Sequence, residues 1–237
     1  MSIKPQITLH WLDDSRSQRI LWLLEELGLD YEIKVYKRNT ETLLAPPELR
    51  EVHPTGKSPV VTITENGKTL SLAESGAITE FLIERYGNSQ LVVSPSDGDF
   101  AARADYLYWL HYAEGSAMTP LMLAMVFARM PKSAPWFLRP VVNTISGGAI
   151  SGFVLPRLRS QYKYLDKHLE GKEYFAGGKL TGADIMMSFI AEALASTPLD
   201  ASDFPNLRRW HESMQQREAY KKAEEKGGKN DLGRFTR

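Results

Sequence analysis

Three short stretches of this chain carry residue types whose spacing could do chemistry. Asp13-Asp14-Ser15-Arg16-Ser17 is a polar loop that holds two hydroxyls. A hydroxyl that donates a hydrogen bond stabilises a thiolate and so lowers the pKa of a thiol beside it. A helix beginning at that loop would add its free N–H groups and dipole to the same effect. His53-Pro54-Thr55-Gly56-Lys57-Ser58-Pro59 is a tight turn ending in a Ser-Pro bond. A proline that opens a strand can sit in cis, and the bend turns the preceding N–H and C=O outward. An extended peptide could pair with those groups like an added strand. Glu74-Ser75 stands at the start of an apolar helical run. Helix N-termini favour anions, so Ser75 and its neighbouring N–H groups suit a carboxylate, while Glu74 suits an ammonium. An α-amino-acid head presents both charges on one carbon. Taken together the stretches describe a holder for a small zwitterionic peptide. Taken singly, Ser15 and Ser75 are equally ordinary helix caps and Ser58-Pro59 an ordinary turn. Asp13 and Asp14 would oppose a thiolate, so their carboxylates should point away from it.

The elements that must position these residues can be read in order. Ile7 to Trp11 alternates as a first strand, and Ile20, Leu23, Leu24 and Leu27 recur at helical spacing, with Gly28 placed to end that helix. Tyr31, Ile33 and Val35 alternate with charges as a half-buried strand. That is a βαβ unit. A long loop over residues 39–52 follows, with a short helix at Pro47 to Val52. Pro59 to Thr64 and Thr69 to Leu72 read as a hairpin, because Asn66-Gly67 supplies the two positive φ angles of a type I′ turn. Glu74 to Tyr86 is a helix with Ile78, Phe81 and Leu82 inward. Beyond a Gly/Ser/Pro-rich linker at residues 87–97 the pattern is wholly helical, at roughly 99–129, 150–170, 182–196 and 206–224. Thr181 to Asp184 is a capping-box-like helix start. The charged, Gly-containing stretch 226–237 is expected to be a flexible tail.

Composition narrows the function. The 237 residues have zero formal net charge, which removes the simplest electrostatic case for nucleic acid or an anionic membrane as partner. There is no cysteine, so no disulfide and no protein thiol nucleophile. The five histidines show no metal-ligand spacing. The beginning of the chain shows no apolar signal core, and a cytoplasmic protein is expected. Trp136 to Leu155 is apolar and about long enough to cross a bilayer at roughly 20 residues. Its Arg139, Pro140, Asn143, Gly147, Gly148 and Gly152 argue instead for a buried or partner-facing irregular helix, with membrane association disfavoured.

The Ser loop, the Ser-Pro turn and the Glu-Ser helix start occur in that order on a βαβ-ββα pattern followed by an all-helical half. This resembles the cytosolic glutathione transferase superfamily, of the serine type and closest in look to fungal and bacterial members. The resemblance implies an α/β thioredoxin-like N-terminal domain over residues 5–86, a linker over 87–97, and an all-α domain over 98–225 that carries the electrophile pocket. It implies Ser15 as the hydroxyl that activates the glutathione thiol. Ser58 would pair with the cysteinyl backbone, Glu74 and Ser75 would hold the γ-glutamyl head, and Lys57 would meet the glycine carboxylate. The electrophile pocket is expected near Leu12, Tyr108 and Tyr112. The Thr181 to Asp184 start looks like a structural capping element of that family. The implied activity is conjugation of glutathione, a co-substrate, to small hydrophobic electrophiles in detoxification, in a homodimer that needs no metal or other cofactor. Two alternatives stay open: a glutathione-dependent disulfide reductase or peroxidase, and a non-catalytic glutathione-binding module. Without cysteine, deglutathionylation through a protein thiol is excluded.

Overall fold

The computed structural model describes residues 4–235. It begins with β1 (Gln6–Leu12), α1 (Ser17–Glu26) and β2 (Glu32–Tyr36). The short α2 (Leu49–Val52), β3 (Val60–Glu65), β4 (Lys68–Ala73) and α3 (Ser75–Tyr86) follow. The sheet order is β2-β1-β3-β4, with β1 parallel to β2 and antiparallel to β3, and β3 antiparallel to β4. This is the thioredoxin-like arrangement expected. Asn66 and Gly67 take φ of 50° and 75°, so the β3–β4 turn forms as its residue types require. Gly28 adopts φ 61° just past α1, and Leu29 N–H closes on Leu24 O at 3.1 Å.

The remaining chain is helical: α4 (Phe100–Tyr112), α5 (Met118–Ser133), α6 (Arg139–Ala149), α7 (Leu155–His168), α8 (Gly182–Ala193), α9 (Pro205–Gln215) and α10 (Glu218–Gly227). A π-helical turn at Ala113–Ala117 joins α4 to α5, and another at Ile150–Val154 joins α6 to α7. Helix α8 is the centre of the bundle and is buried along almost its whole length. Its start is held by Asp184, whose carboxylate accepts from Thr181 N–H (2.9 Å), Thr181 Oγ (3.0 Å), Phe175 N–H (2.9 Å) and Trp210 Nε1 (3.3 Å). The acidic capping element is thus satisfied inside the core, as a buried carboxylate must be.

One apolar core runs through both halves, since Leu23 and Leu24 of α1 belong to the same cluster as Ile185, Ile190 and Trp210. Helix α10 returns to α1: Arg217 pairs with Glu26 at 2.6 Å, Lys226 with Glu25 at 2.5 Å, and Gln18 Nε2 donates to Ala223 O at 2.9 Å.

Two expectations change. The segment 136–155, expected to be buried or partner-facing, is largely unburied: Trp136, ahead of α6, is 80% exposed, and Val141 and Ile145 of α6 are 58% and 60% exposed. No helix among the described residues is long and apolar enough to cross a membrane. The stretch expected to be a flexible tail is docked as far as Phe235. A short 3-10 turn at Leu232–Phe235 lies against the first loop, where Arg234 bonds to Asp13 (2.9 Å) and Asp14 (2.5 Å). Asp231 N–H donates to Asp14 Oδ1 at 2.6 Å. The two aspartates that looked unfavourable to a thiolate are the reason: their charge recruits Arg234 and is neutralised by it.

Candidate functional site

The loop after β1 is built around two hydroxyls. Ser17, fully buried at the first position of α1, accepts from Leu12 N–H at 3.1 Å and donates to Leu12 O at 2.9 Å. Ser15 Oγ lies 2.6 Å from Ser17 Oγ and 2.8 Å from Leu12 O, and accepts from Ser17 N–H at 3.1 Å. Leu12 O can therefore be served by Ser17, leaving the Ser15 proton able to turn toward a ligand. The two serines are thereby distinguished: Ser15 lines a cavity, while Ser17 sits behind it as a brace.

The Ser58-Pro59 peptide bond is cis. Ser58 Oγ donates to His10 O at 2.9 Å, which ties the turn to β1. The β3–β4 register pairs Val60 with Ala73. Continuing it one step brings Pro59 opposite Glu74, so the second and third motifs, fifteen or so residues apart in the chain, meet at one end of the hairpin. Glu74 is exposed and adopts φ 68°, ψ 113°, a region an L side chain enters only against strain. Its backbone O accepts from Ile78 N–H at 2.9 Å, and its side chain caps nothing. Ser75 is buried, and its hydroxyl accepts from Arg19 at 2.5 Å.

The structure brings two further residues to the site that sequence reasoning missed, Arg19 and Glu114. Arg19, buried in α1, donates to Met186 O at 2.8 Å, to Ser75 Oγ and to Glu114, whose carboxylate also accepts from Arg16 at 2.9 Å. Burial pulls the Arg19 pKa down, against the opposing pull of Glu114. Burial alone would raise the Glu114 pKa, but the two guanidiniums outweigh it and hold the carboxyl below its ordinary value. The π-helical turn that holds Glu114 is what carries it to this position. Ser15 and Ser75 are thus braced from opposite sides of α1.

Between the two halves lies a cavity of about 330 Å³. Leu12, Ser15, Lys57 and Ser58 line it on the sheet side, and Arg16, Arg38, Leu43 and Leu44 extend that wall. Met118, Leu121, Met122, Met125 and Arg129 line the helical side, with Leu232 and Phe235 closing one edge. Arg38 is spread over Asp13 O (3.0 Å), Leu43 O (3.0 Å) and Asp14 O (3.3 Å), and Phe235 stacks 5.2 Å from it. Tyr108 and Tyr112 do not line the cavity. They stack on one another at 5.4 Å, and Tyr108 accepts from Tyr164 of α7 at 3.2 Å, so the expected aromatic pocket is replaced by a methionine-rich face of α5. Glu74 and Ser75 also stand outside the cavity lining, at the hairpin end beside it. No group of side chains among the described residues could hold a metal ion.

Comparison with known proteins agrees with this architecture. Residues 15–85 match the family described as "Glutathione S-transferase, N-terminal domain", and residues 130–218 match "Glutathione S-transferase, C-terminal domain". Glutathione S-transferase 1 of Saccharomyces cerevisiae is 36% identical over 231 residues, covering 94% of this chain and 95% of that protein. Glutathione S-transferase 3 of Schizosaccharomyces pombe is 37% identical over 230 residues, covering 97% and 91%. A crystal structure of a glutathione S-transferase from Actinobacillus pleuropneumoniae superposes with a TM-score of 0.77 at 35% identity, covering 97% of this chain and 96% of that one. With both halves matched and its relatives matched nearly end to end, this chain belongs to the glutathione S-transferase family and is an enzyme of that family.

Proposed function

We propose that the enzyme conjugates glutathione to small electrophiles whose apolar body rests on α5, with Ser15 as the thiolate donor. The observation that carries this reading is the Ser15–Ser17 pair. One hydroxyl is fixed by backbone groups, and the other is supported by Ser17 N–H and lines the cavity. A free thiol titrates near ~8.5, so only a few per cent is ionised at neutral pH. A hydrogen bond to a charged acceptor contributes about 1.5–3 kcal/mol, which lowers the thiol pKa by roughly one to two units. The start of α1 adds its dipole. The thiolate then attacks the electrophilic carbon: a C–S bond forms, and a halide leaves or a proton is taken up, depending on the acceptor.

In this reading Ser58 pairs its backbone with the cysteinyl part, Lys57 meets the glycine carboxylate, and Glu74 and Ser75 hold the γ-glutamyl head. Arg19 acts through Ser75 as a positioning residue. Glutathione is a co-substrate, and the reduced cytoplasmic pool of it fits that compartment as the site of action. Detoxification is the role such a conjugation serves. A homodimer is part of the proposal, supported by the exposed apolar residues Val126, Val141 and Ile145; a monomer mass by light scattering would contradict it. The test of Ser15 is the titration of bound glutathione by thiolate absorbance. Ser15→Ala should raise the thiol pKa by about one unit or more; an unchanged pKa would remove Ser15 from the role.

A further inference from the structure

The cations around the cavity are unequally partnered. Arg16 is paired with Glu114, and Asp14, the acidic residue of the lining, is paired with Arg234. Arg38 is occupied by three backbone carbonyls, and Lys57 is assigned above to glutathione. Arg129 is left without a carboxylate partner among the described residues. Its one polar contact is a long 3.5 Å bond from Nη2 to Thr42 O across the cavity mouth. Glu41, in that facing loop, is not among the lining residues.

The position of Arg129 is specific. Met118, Leu121, Met122 and Met125 recur at helical spacing along one face of α5, and Arg129 continues that face by one turn. Helical side chains lean toward the helix N-terminus, so the guanidinium is directed back over Met125 and toward the interior of the cavity. A compound lying along this face meets thioether and leucine surface for its length and a guanidinium at its outer end. The surroundings favour an anion there as well. From Gly115 to Leu165 the chain has no Asp or Glu, while it carries Arg129, Lys132, Arg139, Arg157, Arg159 and Lys163. The zero net charge of the whole chain thus conceals a basic stretch spread over α5, α6 and α7, of which α5 lines the cavity, and such a stretch raises the local concentration of anionic ligands.

We propose that the preferred acceptors are amphiphilic electrophiles, an apolar body ending in a carboxylate, and that Arg129 receives the carboxylate. This rests on the glutathione-conjugating reading above. It makes the site selective against the neutral electrophiles that the apolar wall alone would accept. Guanidinium–carboxylate geometry is bidentate, so lysine should serve less well.

The test uses conjugates, so that it reads binding independently of turnover. Affinities of S-hexylglutathione and of S-(5-carboxypentyl)glutathione, equal in chain length, are compared by calorimetry on the full-length protein, together with glutathione itself. The carboxylate form should bind about tenfold or more tightly than the hexyl form. Arg129→Met should bring the two within about twofold of each other, and Arg129→Lys should keep part of the preference. A wild-type preference for the hexyl conjugate, or a carboxylate preference that survives in Arg129→Met, would overturn the proposal. If Arg129→Met weakens glutathione itself as much as the carboxyalkyl conjugate, the residue serves the tripeptide's own carboxylate and the proposal falls. Failure of all three ligands to bind the wild type would instead sink the glutathione site, a result distinct from the others.

Discussion

Glu74 offers a perturbation whose two consequences have opposite sign. Its backbone is held at φ 68°, ψ 113°, while its side chain is exposed and caps no helix. Such a conformation costs on the order of 1–3 kcal/mol for an L residue. Glycine would relieve it, less about 0.4–1 kcal/mol for the extra freedom of the unfolded chain. Glu74→Gly should therefore be more stable than Glu74→Ala by about 1 kcal/mol, because alanine removes the same carboxylate and keeps the strain. Affinity should move the other way. Losing a charge-assisted bond to the ligand ammonium costs about 1.5–3 kcal/mol, or roughly ten- to a hundredfold in glutathione affinity, equally in both variants. Urea unfolding reads the first quantity and titration calorimetry the second. Equal stability of the two variants would refute the strain argument. Retained affinity in either would remove Glu74 from the γ-glutamyl site. Stability gained together with affinity lost is the signature of strain kept for binding.

Further tests address the supports. Arg19→Met leaves Glu114 with Arg16 alone and takes from Ser75 its donor, so it should destabilise the fold by about 1–3 kcal/mol, read by urea unfolding; the double variant Arg19→Met/Glu114→Leu should recover part of that loss. At Gly227 an added Cβ would stand 2.3 Å from Gln18 Oε1, 2.9 Å from Leu21 Cδ2 and 3.1 Å from Trp11 Nε1. Gly227→Ala should therefore lower the melting midpoint by loosening α10 from α1, and an unchanged midpoint would show that α10 shifts freely. Burial lowers the pKa of His211 to about 4, and its Nε2 has no partner among the described residues. The unfolded chain binds that proton more readily, so stability should fall as pH drops from about 6.5 toward 4. His211→Phe should flatten that part of the profile, and an identical slope in the variant would show that other groups carry it.

The sheet and the three motifs were legible because each is a local decision. Alternation fixed β1 and β2, Asn66-Gly67 fixed the hairpin, and the Ser-Pro and Glu-Ser pairs announce their own backbone geometry. Assembly of the site was less legible, since it depends on residues that meet only in three dimensions. Glu114 reaches Arg19 through a π-helical turn, a one-residue irregularity without a strong sequence mark. The helical wall of the cavity has a sequence mark, since Met118, Leu121, Met122 and Met125 keep helical spacing, but the aromatic run at Tyr106 to Tyr112, one helix earlier, is the more conspicuous signal. Those rings pack among α4, α7 and the loop at Phe175. The docked 230–235 stretch was hidden for a different reason. A charged, glycine-containing stretch has no apolar periodicity, and its placement depends on Asp13 and Asp14, which lie more than two hundred residues away.

That distance sets an order of events during synthesis. The first loop emerges early, and β1, α1 and the hairpin can form around it while the helical half is still being made. Its clamp, Arg234, is made 220 residues after Asp14. At roughly 5–20 residues per second the loop waits about 10–40 s for that contact. Through that interval Asp13 and Asp14 have Arg38 beside them but not yet Arg234. The loop that holds Ser15 is thus closed by a contact that can form only after the whole helical half has been made.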